Sequence, residues 1–210
     1  MDDGPTVDTR AAVVMPVKAF RHGKLRLAPT FTPSTRAELA RTMAAQVLQA
    51  AHPLAVIVVC DDEEVRDWTE LHGGEALWTP GVGLNGAVEA GVALLHLRGI
   101  DRAIVAHADL PLATELASLA TAEGVTLVPD RHGDGTNVIC VPTGSGFRFA
   151  YGAGSFSKHR AEAKRLGLAT HVELDPRLAW DIDVPADFDL PPHLQLPETV
   201  ARLLTPLEVP

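Results

Sequence analysis

The sequence predicts a single-domain α/β fold: a Rossmann-like, mostly parallel sheet flanked by helices, with a small antiparallel elaboration. Three observations carry this. Apolar runs of strand length alternate with segments of helical periodicity from Ala11 to Val128. The run Leu54 to Cys60 is continuous and rich in β-branched residues, as a strand buried on both faces requires. At 210 residues and 46% hydrophobic content, the chain is long enough to bury one sizeable core without metal or disulfide staples.

Taken in order, residues 1–10 read as a flexible tail. It carries Asp2, Asp3 and Asp8 and no apolar stretch of the kind an ordinary signal peptide needs. The domain proper spans 11–190. Ala11 to Val17 is the first strand. Thr32 as N-cap and Pro33 at the first helical position open a helix toward Ala50, with Leu39, Met43, Val47 and Ala50 on one face. Leu54 to Cys60 is a second strand. Asn85 to Leu97 is a helix with Val88, Val92 and Leu95 inward. Arg102 to His107 is a strand, Leu112 to Glu123 a helix ended by Gly124, and Val125 to Val128 a strand. Beyond these, Asn137 to Val141, Phe147 to Tyr151 and Ala169 to Leu174 are short strand candidates, with one helix from Ser155 to Leu166. This part is expected to add an antiparallel edge. Residues 191–210, rich in Pro and Leu, form a surface extension with a turn or two of helix near Pro197 to Leu204.

Composition narrows the function. Eighteen basic residues against 27 acidic ones give a formal charge of −9, which argues against a nucleic-acid partner. No apolar run reaches the length of a membrane span. Cys60 and Cys140 each sit in an apolar run and read as buried free thiols of a cytoplasmic protein. With only 5% aromatics the core is aliphatic, and Trp68, Trp78 and Trp180 read as packing. The charge is unevenly spread: Arg10, Lys18, Arg21, Lys24 and Arg26 fall in a stretch without Asp or Glu. That segment is either a solvated loop or a seat for a small polyanion.

In parallel α/β sheets the ligand lies beyond the carboxyl ends of the strands, so those ends are where to search. Lys18 to Leu27 follows the first strand and could wrap phosphates, Arg as a fork and Lys as a point charge. Neither the ATPase-type phosphate loop nor the dinucleotide fingerprint is present. Asp109, after the strand ending at His107 and before Pro111, suits a Mg²⁺ ligand or a helix cap. Asp181 and Asp183 alternate across Ile182 and share a face if extended, so either could meet Asp109 over a metal, whereas Asp187 is expected to point to solvent. Gly81 to Gly86 precedes a helix and permits close approach to a flat ligand. Gly152 to Ser155 opens another helix, where a phosphate would meet free N–H groups, the Ser155 hydroxyl and Lys158, or where Ser155 simply caps. No zinc grouping and no nucleophile elbow appear, and His107 reads as packing or as support for a neighbouring ligand.

The ordered set resembles a known family. It comprises Pro16-Val17-Lys18, Lys24-x-Arg26-Leu27, Gly83-Leu84-Asn85, Ala108-Asp109-Leu110-Pro111, Pro129-Asp130-Arg131, Asp134-Gly135-Thr136-Asn137, Gly152-x-Gly154-Ser155-Phe156, His159 and Asp181-x-Asp183. It is similar to the 2-phospho-L-lactate or phosphoenolpyruvate guanylyltransferases of coenzyme F420 biosynthesis, nucleotidyltransferases of glycosyltransferase-A-like fold. The resemblance covers about residues 11–188. It implies that Lys18, Lys24 and Arg26 hold GTP phosphates and that Gly83, Leu84 and Asn85 lie against guanine and ribose. Asp109 and Asp183, with Asp181 close by, would be metal carboxylates for Mg²⁺, two ions in number. Thr136, Gly152 and Ser155, with Lys158 beside them, would bind a small phosphorylated three-carbon acid. Leu25, Val184 and Ala186 depart from the family's usual residues. Rival readings are nucleotidyl transfer with another pair, such as molybdopterin with GTP or a sugar acid with CTP, and a non-catalytic nucleotide-binding scaffold.

Overall fold

The computed structural model describes residues 10–204; the expected tail, apart from Arg10, and the last six residues lie outside them. Its strands are β1 (Ala11–Pro16), β2 (Ala55–Cys60), β3 (Glu75–Trp78), β4 (Arg102–Ala106), β5 (Val125–Pro129), β6 (Thr136–Pro142) and β7 (Thr170–Val172). They form one sheet in the order β3-β2-β1-β4-β6-β5-β7. Every pairing is parallel except the two made by β6. The antiparallel strand therefore lies inside the sheet, between β4 and β5, and not at an edge.

The helices are α1 (Pro33–Ala51), α2 (Glu63–Leu71), α3 (Gly83–Leu97), α4 (Ser155–Arg165) and α5 (Glu198–Leu204). Burial on both faces of β1 fixes the layers. Val13 and Met15 pack with Ala44, Val47 and Trp68 from α1 and α2, while Ala12 and Val14 pack with Val88, Val92 and Ala163 from α3 and α4. Gly91 lets α3 lie close on the sheet: a Cβ there would meet Val14 Cγ1 at 2.7 Å. Leu27, Leu39, Met43, Ile182 and Val200 form a third cluster that docks α5 and the 180s segment onto α1. None of these helices is long and apolar enough to cross a membrane.

Thr32 caps α1, its hydroxyl accepting from the Thr35 N–H, and Pro33 opens the helix as the sequence indicates. Three expectations need correction. The segment Leu112 to Glu123 is not an α-helix; it holds only a 3-10 turn, Ala117–Ala120. Leu110, Ala113, Leu116 and Leu119 are buried at three-residue intervals, which imitates helical periodicity. The Leu116 N–H, however, goes to Ala50 O, and the Ser118 N–H to the Glu115 carboxylate. Phe147 to Tyr151 joins no sheet. Its N–H groups are taken by side chains of the neighbouring helices: Arg148 by Glu162, Phe149 by Glu89, Ala150 by His159 and Tyr151 by Asn85. Nor is every Trp packing: Trp68 is buried edge-on against Phe20, but Trp78 is 45% exposed. Sequence reading also missed α2 and β3, although Asp62 caps α2 through the Val65 N–H. Cys60 and Cys140 are free and buried, as expected.

Candidate active site

The carboxyl ends of β1, β2 and β4 open on one cleft of about 400 Å³, whose lining includes Lys18, Lys24, Gly83, Leu84, Asp109 and Asp183. The antiparallel β6 completes its surroundings. Because β6 starts where β4 ends, the His107 N–H bonds Asn137 O, and Thr136 and Asn137 come to the same end of the sheet as Asp109.

At the centre is a cation between two anions. Lys24 Nζ lies 2.7 Å from Asp109 Oδ2 and 2.9 Å from Asp183 Oδ1. Lys24 itself adopts the left-handed conformation at φ 53°, at a cost of about 1 kcal/mol for a residue with a Cβ. Its side chain is 9% exposed. Burial alone would lower its pKa, but the Asp109 and Asp183 carboxylates outweigh burial and hold it above the ordinary value. Burial would likewise raise Asp109, yet the Lys24 charge, helped by His107, holds that carboxyl below its usual range. Two polar atoms are left over: Asp109 Oδ1 is buried with no hydrogen-bond partner, and so is His107 Nε2. An orphaned buried carboxylate oxygen is costly unless something else completes it. Among the described residues no three His, Cys, Asp or Glu side chains converge as a closed metal cage. Two carboxylates and an orphaned oxygen instead suit a hard divalent cation whose remaining ligands are substrate oxygens and water.

Asp181 sits one step deeper. It lies 3.5 Å from both Arg131 Nη1 and Asn137 Nδ2, and burial, then the Asp109 and Asp183 charges, push its pKa up. Asp187 departs from expectation: it is 2% exposed, not solvated. Its carboxylate pairs with Arg131 and accepts the backbone N–H groups of Asp183 and Val184. The available signal was its spacing: a carboxylate two residues after Pro185 can reach back to the amides that start the 3-10 turn Pro185–Phe188.

The other candidates divide into two groups. Lys18, Gly83 and Leu84 line the cleft, and Arg26, 76% exposed, points its guanidinium toward Asp183 at 3.9 Å. Gly83 is at φ 68° with open space where a Cβ would project. Asn85 uses its Oδ1 to accept the Tyr151 N–H at 2.8 Å. Thr136, Gly152, Ser155 and Lys158 gather around the start of α4, outside the lining of the cleft. Buried His159 joins them: its Nε2 accepts the Ala150 N–H, so Nδ1 bears the proton and donates to Thr136 Oγ1 at 3.0 Å. Burial pushes the His159 pKa down to about 4, so the ring is neutral at pH 7. The α4 amides are not free. Gly154 N–H donates to the Asp134 carboxylate, Ser155 N–H to Gly152 O, and Phe156 N–H to Asp134 O. Gly154, at φ 69°, takes the N-cap position, leaving Ser155 as the first helical residue with a buried side chain. Lys158 is exposed and donates to Ala153 O.

Comparison with known proteins is consistent across sequence and structure. The family described as guanylyl transferase CofC like matches residues 11–190. A phosphoenolpyruvate guanylyltransferase of Sphaerobacter thermophilus is 37% identical over 185 residues, covering 84% of this chain and 89% of the relative. A 2-phospho-L-lactate guanylyltransferase of Methanothermobacter thermautotrophicus is 32% identical over 187 residues, covering 85% and 82%. Among solved structures, a 4-diphosphocytidyl-2C-methyl-D-erythritol synthase superposes with a TM-score of 0.55 at 13% identity, covering 87% of this chain and 96% of that one. At that identity the likeness speaks for the fold alone.

Proposed function

This chain belongs to the guanylyl transferase CofC-like family, and from that premise we propose that it transfers the guanylyl group of GTP to the phosphate of a three-carbon acid, phosphoenolpyruvate first and 2-phospho-L-lactate second. The product would be the guanosine diphosphate ester that coenzyme F420 biosynthesis uses. The single observation that carries the reading is Lys24 held between Asp109 and Asp183, beside the unpartnered Asp109 Oδ1, at the strand ends of a nucleotide-sized cleft. The preference for phosphoenolpyruvate rests on relatives with that name at 37% and 34% identity.

In this reaction an oxygen of the acceptor phosphate attacks the α-phosphorus of GTP. The bond from that phosphorus to the β-phosphate oxygen breaks, and pyrophosphate leaves with the electron pair. A phosphate monoester has a second pKa of about 6, so the nucleophile is mostly dianionic at pH 7 and needs no general base. That suits a cleft lined, among the described residues, by one histidine, His107, whose buried Nε2 has no hydrogen-bond partner.

The work left to the protein is positioning and charge. Lys18 and Arg26, both exposed at the mouth, would meet the outer phosphates, and Lys24 would neutralise charge moving toward pyrophosphate. Gly83, Leu84 and Asn85 would lie along guanine and ribose. Thr136, Gly152, Ser155 and Lys158 would bind the acceptor. Asp109 and Asp183, with Asp181 beside them, are the residues that would hold Mg²⁺, which would supply further charge neutralisation on the phosphate oxygens. We place the reaction in the cytoplasm, where the buried Cys60 and Cys140 thiols stay reduced.

The test is pyrophosphate release with GTP, Mg²⁺ and each of phosphoenolpyruvate, 2-phospho-L-lactate and 3-phosphoglycerate, with ATP and CTP as controls. Release that requires GTP and one acid supports the reading and fixes the acceptor. Absence of release with every GTP–acid pair overturns it.

A further inference from the structure

The Asp183 carboxylate stands at the end of a segment with no regular secondary structure, yet its position must be set to within a fraction of an ångström if it is to share a ligand with Asp109. Two charges outside the cleft, Asp187 buried and Arg131 partly so, do the setting. Asp187 Oδ2 accepts the Asp183 N–H at 2.6 Å and the Val184 N–H at 2.8 Å. Asp187 Oδ1 is held by Arg131. Arg131, from the turn after β5, closes the ring. Its Nη1 donates to Asp181 O at 3.0 Å, its N–H donates to Ala179 O at 2.9 Å, and its guanidinium lies 4.6 Å from the Trp180 ring centre. Trp180 Nε1 donates back to Asp187 O at 2.9 Å. The 179–187 segment is thus wrapped on one guanidinium and one carboxylate, with both candidate metal carboxylates of that segment displayed from it.

We propose that Asp187, held by Arg131, is the positioning residue that aims Asp183 and Asp181 at the metal. The inference rests on reading Asp183 as a metal carboxylate. Its physical ground is cost. Burying an ion pair seldom gains stability over an apolar replacement, so a carboxylate at 2% exposure calls for another reason. Here that reason is geometric: the charge is spent on the two amides that fix where the Asp183 side chain starts. Partners that orient a metal-ligating group typically matter about 10–100-fold to metal affinity. Neither Arg131 nor Asp187 lines the cleft.

The experiment compares Asp187→Ala, Asp187→Asn and Arg131→Lys with the wild type. The first readout is Mn²⁺ affinity in the presence of GTP, by electron paramagnetic resonance and without acceptor. The second is hydrogen exchange at the Asp183 and Val184 amides. Steady-state kinetics follow. Asp187→Ala is expected to weaken Mn²⁺ by about 10–100-fold, to speed exchange at both amides, and to lower kcat while the acceptor KM stays within about twofold. Asp187→Asn keeps an oxygen for the amides and should recover part of the loss. Arg131→Lys keeps the charge but cannot hold Asp187 and Asp181 O together, and should fall between. If Asp187→Ala does not fold, the other two variants decide on the same readouts. A folded variant of each kind that binds Mn²⁺ and protects both amides like the wild type overturns the proposal, as does a wild type that binds no Mn²⁺ with GTP. A wild type that binds Mn²⁺ and GTP but transfers to no acid overturns the proposed reaction and leaves this comparison decisive for Asp187.

Discussion

The loop after β1 and the start of α4 are two regions where the sequence suggests a seat for an anion, and they are built in opposite ways. In the loop the donors are side chains. Lys18 and Arg26 are exposed, and Lys24 is strained at φ 53° and bound only by carboxylates. At α4 the donors are backbone groups already satisfied from within, by Asp134 and Gly152, and Lys158 is turned onto Ala153. The first region changes its charge balance when a polyanion arrives. The second is a finished scaffold, with the Ser155 and Thr136 side chains buried and the Thr136 hydroxyl bonded to His159. A ligand with many negative charges suits the first, and a small acid recognised by a few directed bonds suits the second.

The largest way to break this comparison is at Asp109. Asp109→Asn removes the carboxylate that both neutralises Lys24 and presents the orphaned oxygen, and a neutral amide holds a divalent cation poorly. Turnover is expected to fall by at least about 100-fold, or ~2.7 kcal/mol of barrier, measured as pyrophosphate release at saturating Mg²⁺. Near-normal turnover would remove Asp109 from the machinery. The same cluster sets a pH window. Lys24 has its pKa raised on folding, so its contribution is complete below the free value of about 10.5 and is lost as pH climbs through the higher folded value. Asp109 has its pKa lowered, so its contribution is present above the free value of about 3.8 and is lost as pH falls through the folded one. Thermal unfolding followed across pH should therefore show Lys24→Met flattening the alkaline limb, and the acid limb with it, because the Lys24 charge is what holds Asp109 low. A mutant limb as steep as the wild type would show that Lys24 carries none of it.

The same contrast explains what the sequence disclosed. Charged loops advertise themselves: Lys18, Lys24, Arg26, Asp109 and Asp183 are charged residues of connecting segments, and the structure gathers all five about one cleft. The parallel strands were legible for the same reason, since β1, β2 and β4 are nearly all apolar. Satisfied backbone does not advertise itself. Phe147 to Tyr151 has the composition of a strand, but its amides are read by Glu162, Glu89, His159 and Asn85, residues up to 66 positions away. Leu112 to Glu123 has the spacing of a helix, but its Leu116 amide is taken by the end of α1. Asp187 looked solvated because its partner, Arg131, is 56 residues distant. Long-range pairing of polar groups leaves no periodicity to find.

At the α4 side the expected effect is smaller and selective. Ser155→Ala removes one directed hydroxyl from a scaffold that is otherwise complete. It should raise the acceptor KM by about tenfold, the worth of one good hydrogen bond at ~1.4 kcal/mol, and leave the GTP KM unchanged. Equal rises for both substrates would show that the two regions are not separate subsites.

The smallest effect, and the sharpest in sign, belongs to Asp181. Burial, and then the nearby Asp109 and Asp183 charges, raise its pKa in the folded protein. A raised carboxyl favours the folded state only while protonated: the gain is present below its free value of about 3.8 and is lost as pH rises through the folded value. At pH 7 the ionised group therefore works against folding, where Asp109, with its lowered pKa, works for it. Asp181→Asn keeps an oxygen toward Arg131 and should raise Tm by about 1–2 °C at pH 7. The gain should vanish near pH 3, and turnover should fall, since a carboxylate held at a cost to stability is retained for what it binds. Asp109→Asn should lower Tm at pH 7, because Lys24 is left buried with one partner. If both substitutions moved Tm in the same direction, the two carboxylates would not be electrostatic opposites, and Asp181 would be one more structural partner of Arg131.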